Sequence, residues 1–337
     1  MPPANELLTD LLKDVSRSFY LTLRVLPKSV RQQIGLAYLL ARTTDTIADT
    51  EILPVEQRLK LLERLRDRIS GRTTEALDFA ELIRNQGTPA ERVLLEKVEA
   101  ALALLNSLAP ADQTLIREVI ETITSGQGLD LQRFAGASRD HIVALRTDDE
   151  LDDYTYRVAG CVGEFWTKMC VQNQFSDGFL KDRSVSEKQF EALGVRFGKG
   201  LQLINILRDL PVDLRSGRCY LPEEQLSARG IAVRDLLEPA NEPRLRPFYN
   251  ELLDRAKAHL TAGWEYTNLI PRPEVRVRLA CAWPILIGLK TLERLRIGNV
   301  LDPQQRIKIN RREVRNVLIR SALTYPLPGW RTLPERL

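Results

Sequence analysis

Four aspartates of this chain fall in two pairs four residues apart, Asp45 with Asp49 and Asp209 with Asp213. Each pair closes a longer polar series. In IGLAYLLARTTDTIADT, Tyr38, Arg42, Asp45 and Asp49 follow at spacings of four, three and four; in GLQLINILRDLPVD, Gln202, Asn205, Asp209 and Asp213 follow at three, four and four. On an α-helix such spacings put the residues on one face. Paired carboxylates suit a hard divalent cation, Mg2+ or alternatively Mn2+. Magnesium takes one or two protein carboxylates and fills its shell with water and phosphate oxygens. Arg42, Arg208 and Arg218 can meet phosphate charge without competing for the metal, and Gln202 and Asn205 add neutral hydrogen-bonding groups. The chemistry that fits is departure of a diphosphate. A solvated Arg–Asp pair on a surface helix explains either series taken alone; two series set among apolar neighbours favour the metal.

Helices must position these groups. Apolar residues recur at helical spacing almost throughout, as in Leu59, Leu62, Leu65, Ile69 and in Leu94, Leu95, Val98, Leu102, Leu105, while period-two patterns are scarce. Clusters of Gly, Pro and polar residues break the pattern near 84–89, 135–149, 176–186, 214–224, 238–243 and 298–303, which predicts about ten helices. None of these breaks reads as a linker, so the expectation is one all-α domain over residues 1–337. Val195 to Leu207 is apolar on more than one face, as expected of a central helix wrapped by others, and a cavity among such helices is a natural ligand site. Pro211 lies between Asp209 and Asp213. Its missing amide hydrogen predicts a kink or an end of the helix there, and a less secure place for Asp213.

Composition narrows the partners. The net charge of +4 is a small difference between 49 basic and 45 acidic residues, which does not imply nucleic acid. Cys161, Cys170, Cys219 and Cys281 show no CxxC spacing, and His141 and His259 have no partner at metal-ligand spacing, which argues against zinc and disulfides. The opening MPPANELLTDLLKDV lacks the apolar core of a signal peptide, so a cytoplasmic location is expected. The most apolar run, Leu279 to Leu289, is too short to cross a bilayer and contains Pro284. Arg306, Lys308, Arg311, Arg312 and Arg315 gather near the C-terminus, followed by TYPLPGWRTLPERL. Such a stretch is either a solvated face or one that meets phosphate or an anionic membrane, so peripheral membrane contact stays open.

Taken together and in order, SRSFYLTLRVLP, DTIAD, YTYRVAGCVGEFW, LQLINILRDLPVD and GRCYLP resemble the squalene and phytoene synthase family of head-to-head prenyl transferases. The resemblance runs through most of the chain. It implies a helical isoprenoid-synthase-like fold with a central active-site cavity. There two prenyl diphosphates would bind, and magnesium-assisted ionisation of one would give an allylic cation that alkylates the other. The first product implied is a cyclopropylcarbinyl diphosphate, and a second ionisation drives rearrangement. Ser16, Arg17 and Phe19 match the N-terminal motif that lines the diphosphate and prenyl sites. Tyr38, Arg42, Asp45 and Asp49 match the first polar series; Gln202, Asn205, Arg208, Asp209 and Asp213 match the second, and Arg218 and Tyr220 the loop after it. Tyr154 matches a tyrosine used near the carbocation or in proton handling. Val158, Ala159 and Val162 offer an apolar wall for a prenyl chain, a pattern that helix packing explains equally well. Ala48 and Val212 stand where many relatives carry a further acid, which leaves the number of magnesium ions open.

Within the family, LACAWPILIGLKTLERL and RIKINRREV resemble segments of the squalene synthase subgroup. Lys308 and Arg311 in the second would hold a phosphate of NADPH. The expectation is condensation of two farnesyl diphosphates followed by NADPH-dependent reduction to squalene. Phytoene or dehydrosqualene synthesis, or arrest at presqualene diphosphate or hydroxysqualene, are the alternatives; a non-catalytic prenyl-lipid-binding or assembly factor is a third. Trp283 and Phe165 are candidates for the cavity floor or for plain core.

Overall fold

A computed structural model describes residues 11–16, 19–85, 88–181, 185–305 and 307–336. The all-α expectation holds: among the described residues, apart from one pair of short strands, the regular elements are helices. Contacts between them gather into two compact units, one formed by Met1–Ala135 with Phe165–Asp177, the other by Gly136–Glu164 with Gly178–Leu337.

In the first unit, Pro27 precedes α1 (Lys28–Asp49), whose end at extended Thr50 is followed by Pro54 and α2 (Val55–Ser70). From Ile34 onward α1 is buried on most of its circumference. Its threonines tolerate burial because their hydroxyls turn back to the helix, Thr43 to the Leu39 carbonyl at 2.9 Å and Thr46 to that of Arg42 at 2.9 Å. Leu62, Leu65 and Ile69 form the buried stripe of α2, which stops at Gly71, a left-handed residue (φ 78°) whose amide returns to the last turn. Helix α3 (Pro110–Arg133) opens on a proline at its first position and packs against both α1 and α2. Asp112, in its first turn, is buried yet accepts amide hydrogens from Gln33 (3.0 Å), Gln172 (2.7 Å) and Asn173 (2.9 Å).

The second unit starts with β1 (Val143–Leu145) and α4 (Asp148–Thr155), capped by the Thr147 hydroxyl. A π-helical turn, Tyr156–Gly160, leads straight into α5 (Cys161–Asn173), within which the chain passes to the first unit. Helix α6 (Glu187–Arg215) begins in a reciprocal Ser186–Gln189 capping box. After it, β2 (Arg218–Pro222) pairs in parallel with β1, Val143 opposite Arg218 and Ala144 opposite Cys219. Helices α7 (Glu242–Leu269), α8 (Val275–Ile297) and α9 (Arg311–Thr324) complete the unit. α6 packs along α7 and against the π turn, α7 against α8.

Glycines permit that packing. A Cβ on Gly198 would stand 2.0 Å from the Ala159 carbonyl oxygen, and one on Gly163 2.0 Å from that of Gly194, so the π turn and the first turn of α5 both meet α6 backbone to backbone. Ser, Thr or even Ala at these positions would force the helices apart. The small residues read from sequence as a prenyl wall are thus partly spent on packing: the Ala159 carbonyl lies on α6. Val158, Ala159 and Val162 nonetheless stay half-exposed.

Candidate functional site

The first polar series stands on α1 as its spacing requires. Asp49 is exposed and Asp45 keeps 44% of its side-chain surface, while the residues that flank them, Thr44, Thr46, Ile47 and Ala48, are buried. Arg42 lies 3.8 Å from Asp45 and makes a closer pair, 2.7 Å, with Glu91. The Gln127 amide of α3 donates to Asp45 Oδ1 at 2.6 Å. Enclosure by surrounding atoms and the neighbouring Asp49 carboxylate push the Asp45 carboxyl up to about 6, against the opposing pull of Arg42 and Gln127. Two like charges that raise one another's cost of ionisation are a donor set that a divalent cation relieves, so this pair fits magnesium. Tyr38, one turn before Arg42, points its hydroxyl to the Val15 carbonyl at 3.4 Å.

The second series stands on α6. Asn205 donates to Gln202 at 3.3 Å. Arg208 grips its neighbour Asp209 with two bonds, Nε to Oδ1 at 2.9 Å and Nη2 to Oδ2 at 2.5 Å. That bond, and the charges of Asp209 and Asp213, hold the Arg208 guanidinium above its usual value despite partial burial. Asp209 keeps 46% of its side-chain surface. Apolar flanks do not bury these aspartates. They are half-exposed, since the flanking Leu203, Ile204, Ile206 and Leu207 take the buried side of the helix. Among the described residues no three metal-ligating side chains gather, and pairs rather than triads are what magnesium completed by water and phosphate asks for.

Pro211 does not end α6, which runs on through it to Arg215. Of the kink or end expected at Pro211, the end does not occur: Asp213 is still helical and stays one turn from Asp209. The carbonyl that Pro211 cannot serve, that of Leu207, accepts instead from the buried Tyr249 hydroxyl of α7 at 2.9 Å.

In the same unit, Arg218 is half-buried on β2, and Tyr220 of that strand is buried and stacks on Tyr154 of α4, ring centroids 4.6 Å apart. Strand pairing thus brings together two tyrosines that the sequence separates by 66 positions. Next to them Tyr156 donates to Glu164 at 2.9 Å; burial and that carboxylate push its phenol up to about 12. Lys308 and Arg311 are exposed before and at the start of α9. Phe165 is core; Trp283 is half-buried and donates to the Ser321 hydroxyl at 3.0 Å. Arg17 lies outside the described residues, as do the side chains of Ser16 and Phe19, which end and begin helices Leu12–Ser16 and Phe19–Val25. Gln127, Glu91, Tyr156 and Tyr249 were not legible as site residues, because each meets its partner only through packing.

A family model described as squalene/phytoene synthase matches residues 12–313. The chain belongs to that family. It is 31% identical over 261 residues to the presqualene diphosphate synthase of Rhodopseudomonas palustris, covering 77% of either chain. Against the squalene synthase of Saccharomyces cerevisiae it is 27% identical over 283 residues, 84% of this chain but 60% of the yeast protein. The chain thus spans about 60% of the length of that relative. Its fold is similar to that of TcSQS in complex with the ligand E5700, with a TM-score of 0.78 at 23% identity over 99% of this chain and 92% of the other. The fold expectation, helical and isoprenoid-synthase-like, is met.

Proposed function

We propose that this chain is a magnesium-dependent head-to-head prenyl synthase that joins two farnesyl diphosphates through a cyclopropylcarbinyl diphosphate and then reduces the product to squalene. The observation that carries the reading is the intact pair of i,i+4 aspartates on each of two helices, in a chain whose family match spans both. Magnesium held by Asp45 and Asp49, and by Asp209 and Asp213, would supply Lewis-acid neutralisation of the diphosphate. The protein does the rest. Arg42, Arg208 and Arg218 would stabilise charge as the leaving group departs, Gln202, Asn205 and Tyr38 would orient it, and Ser16, Arg17 and Phe19 would line its site. Val158, Ala159 and Val162 present half-exposed apolar surface to the prenyl chain. The Tyr154–Tyr220 stack offers π-electron density to a developing carbocation. Lys308 and Arg311, exposed and basic, suit a phosphate of NADPH, the hydride source for the reductive step.

Arrest at the cyclopropylcarbinyl stage is the second reading, favoured by the 31% identity to a presqualene diphosphate synthase. Incubation with farnesyl diphosphate and Mg2+, with and without NADPH, separates the two. Squalene only with NADPH supports the reductive assignment; the same diphosphate product in both tubes removes it. Geranylgeranyl diphosphate as the preferred substrate would shift the assignment to phytoene synthesis.

Peripheral contact with an anionic membrane belongs to the same reading. Residues 307–331 hold six of the 49 basic residues and one of the 45 acidic ones, which leaves 43 against 44 elsewhere. That one acid, Glu313, is paired with Arg294 at 2.7 Å. Ile319 and Leu323, 49% and 70% exposed, follow Arg312 and Arg315 at helical spacing on α9, and Leu327, 54% exposed, lies in the turn after it. Apolar side chains beside an excess of basic residues suit an acidic lipid surface. Among the described residues no helix is long and apolar enough to cross a membrane. Flotation with phosphatidylglycerol vesicles should recover the protein, and Arg312→Gln/Arg315→Gln/Arg320→Gln should release it. Equal recovery on phosphatidylcholine alone would overturn the electrostatic account.

A further inference from the structure

In an uninterrupted α-helix the Leu207 carbonyl would accept the amide of residue 211. Pro211 has none, and its place between Asp209 and Asp213 puts the gap inside the second aspartate pair. The Tyr249 hydroxyl takes up that acceptor at 2.9 Å. Both partners are fully buried, Leu207 and Tyr249 each at 0% exposure, so water cannot substitute for either. Burial pushes the Tyr249 phenol well up, which keeps it a donor at any working pH. Two further contacts fix the arrangement. Arg246, one turn before Tyr249, stacks its guanidinium 5.4 Å from the phenol ring and bonds to the carbonyls of Leu295 and Gly298 at the end of α8. Arg215 reaches back to the Pro211 carbonyl at 2.6 Å.

We infer that Tyr249 is a positioning residue of the second aspartate pair: its hydroxyl replaces the hydrogen bond that Pro211 withholds and thereby fixes the turn that sets Asp209 relative to Asp213. The inference rests on the reading of that pair as magnesium ligands. Without the hydroxyl, the Leu207 peptide turns to find another donor. Residues 208 to 211 turn with it, carrying Asp209 away from its register with Asp213. Ligands that share an ion with a diphosphate must keep that register, because magnesium tolerates little departure from octahedral geometry.

The test is a double-mutant cycle read by calorimetric titration of inorganic diphosphate in the presence of Mg2+, using the full chain. Tyr249→Phe should weaken binding about tenfold, the scale of one lost hydrogen bond. Pro211→Ala restores an amide to the Leu207 carbonyl, so Tyr249→Phe/Pro211→Ala should return to within about threefold of the parent. If Tyr249→Phe alone does not fold, recovery of folded, binding-competent double variant supports the inference and failure of both overturns it. Parent-like binding by Tyr249→Phe, or the same loss with and without Pro211, also overturns it. Asp209→Ala separates the two levels. If it binds like the parent, the metal reading fails; if it loses binding while Tyr249→Phe does not, only the tyrosine inference fails.

Discussion

The two aspartate pairs share a spacing and little else. On α1, Asp45 is held by an amide from α3 and faces Asp49 across one unbroken turn, so the pair is electrostatically loaded. On α6, Asp209 is already neutralised by a two-bond grip from Arg208, and the turn to Asp213 is interrupted by proline and repaired from α7. One pair is poised by charge, the other by hydrogen-bond geometry. A motif of two aspartates four apart is therefore not one physical object; its surroundings decide what limits it.

The strongest way to break the comparison is to remove a carboxylate from either side. Asp45→Ala and Asp209→Ala should each cost roughly 10²–10³-fold in turnover, as loss of a charge-stabilising group does, with the circular dichroism spectrum unchanged. Undiminished turnover in both would refute the metal reading for both pairs.

Packing gives the next contrast. Gly198→Ala drives a methyl against the Ala159 carbonyl, whereas Gly128→Ala in α3 meets only Leu59 at 3.8 Å. The first should destabilise by about 1–3 kcal/mol or more; the second should be neutral or add about 0.5–1 kcal/mol through helix propensity. Thermal melts of both variants check this, and equal melting points would refute the backbone contact.

Asp112 tests whether a buried carboxylate with three amide donors differs from the half-exposed site aspartates. Asp112→Ala takes the shared acceptor from Gln33, Gln172 and Asn173 and should destabilise by roughly 1–3 kcal/mol, the cost of leaving donors without their acceptor, visible in denaturant midpoints.

The smallest effect sharpens the charge contrast. With Asp45 folded near 6 and lower when unfolded, the native metal-free state binds the extra proton between about 4 and 6. Its contribution to stability is full below that window and is lost as pH rises through 6. Solvent contact at 44% exposure keeps the effect modest. Magnesium reverses the sign, because protons compete for the ligand. Metal demand should rise as pH falls below about 6, and Asp49→Asn should lower the Asp45 midpoint measured by carboxyl NMR in metal-free protein. A midpoint unmoved by that substitution would assign the shift to burial alone.

Much of this was legible in the chain. Residue spacing alone put Tyr38, Arg42, Asp45 and Asp49 on one face of α1, and Gln202, Asn205, Asp209 and Asp213 on one face of α6, because a helix repeats every 3.6 residues whatever surrounds it. The breaks near 135–149 and 214–224 were visible, but the parallel β1–β2 pairing across them was not. Three and five residues carry too little periodicity to announce a strand. The apolar flanks of Asp209 are plain in the chain, but sequence cannot say on which side of a half-buried helix the solvent lies.

Local periodicity thus determined the helical class and the composition of each polar face, while the ordered motifs carried the resemblance to the family. Tertiary structure alone decided that Gln127 holds Asp45, that Tyr154 stacks on Tyr220, that glycines let the π turn touch α6, and that α6 survives Pro211. The division has one physical reason. Helical phase is set by bonds four residues long, whereas the partner of a side chain or a freed carbonyl is whichever group packing delivers from tens of residues away.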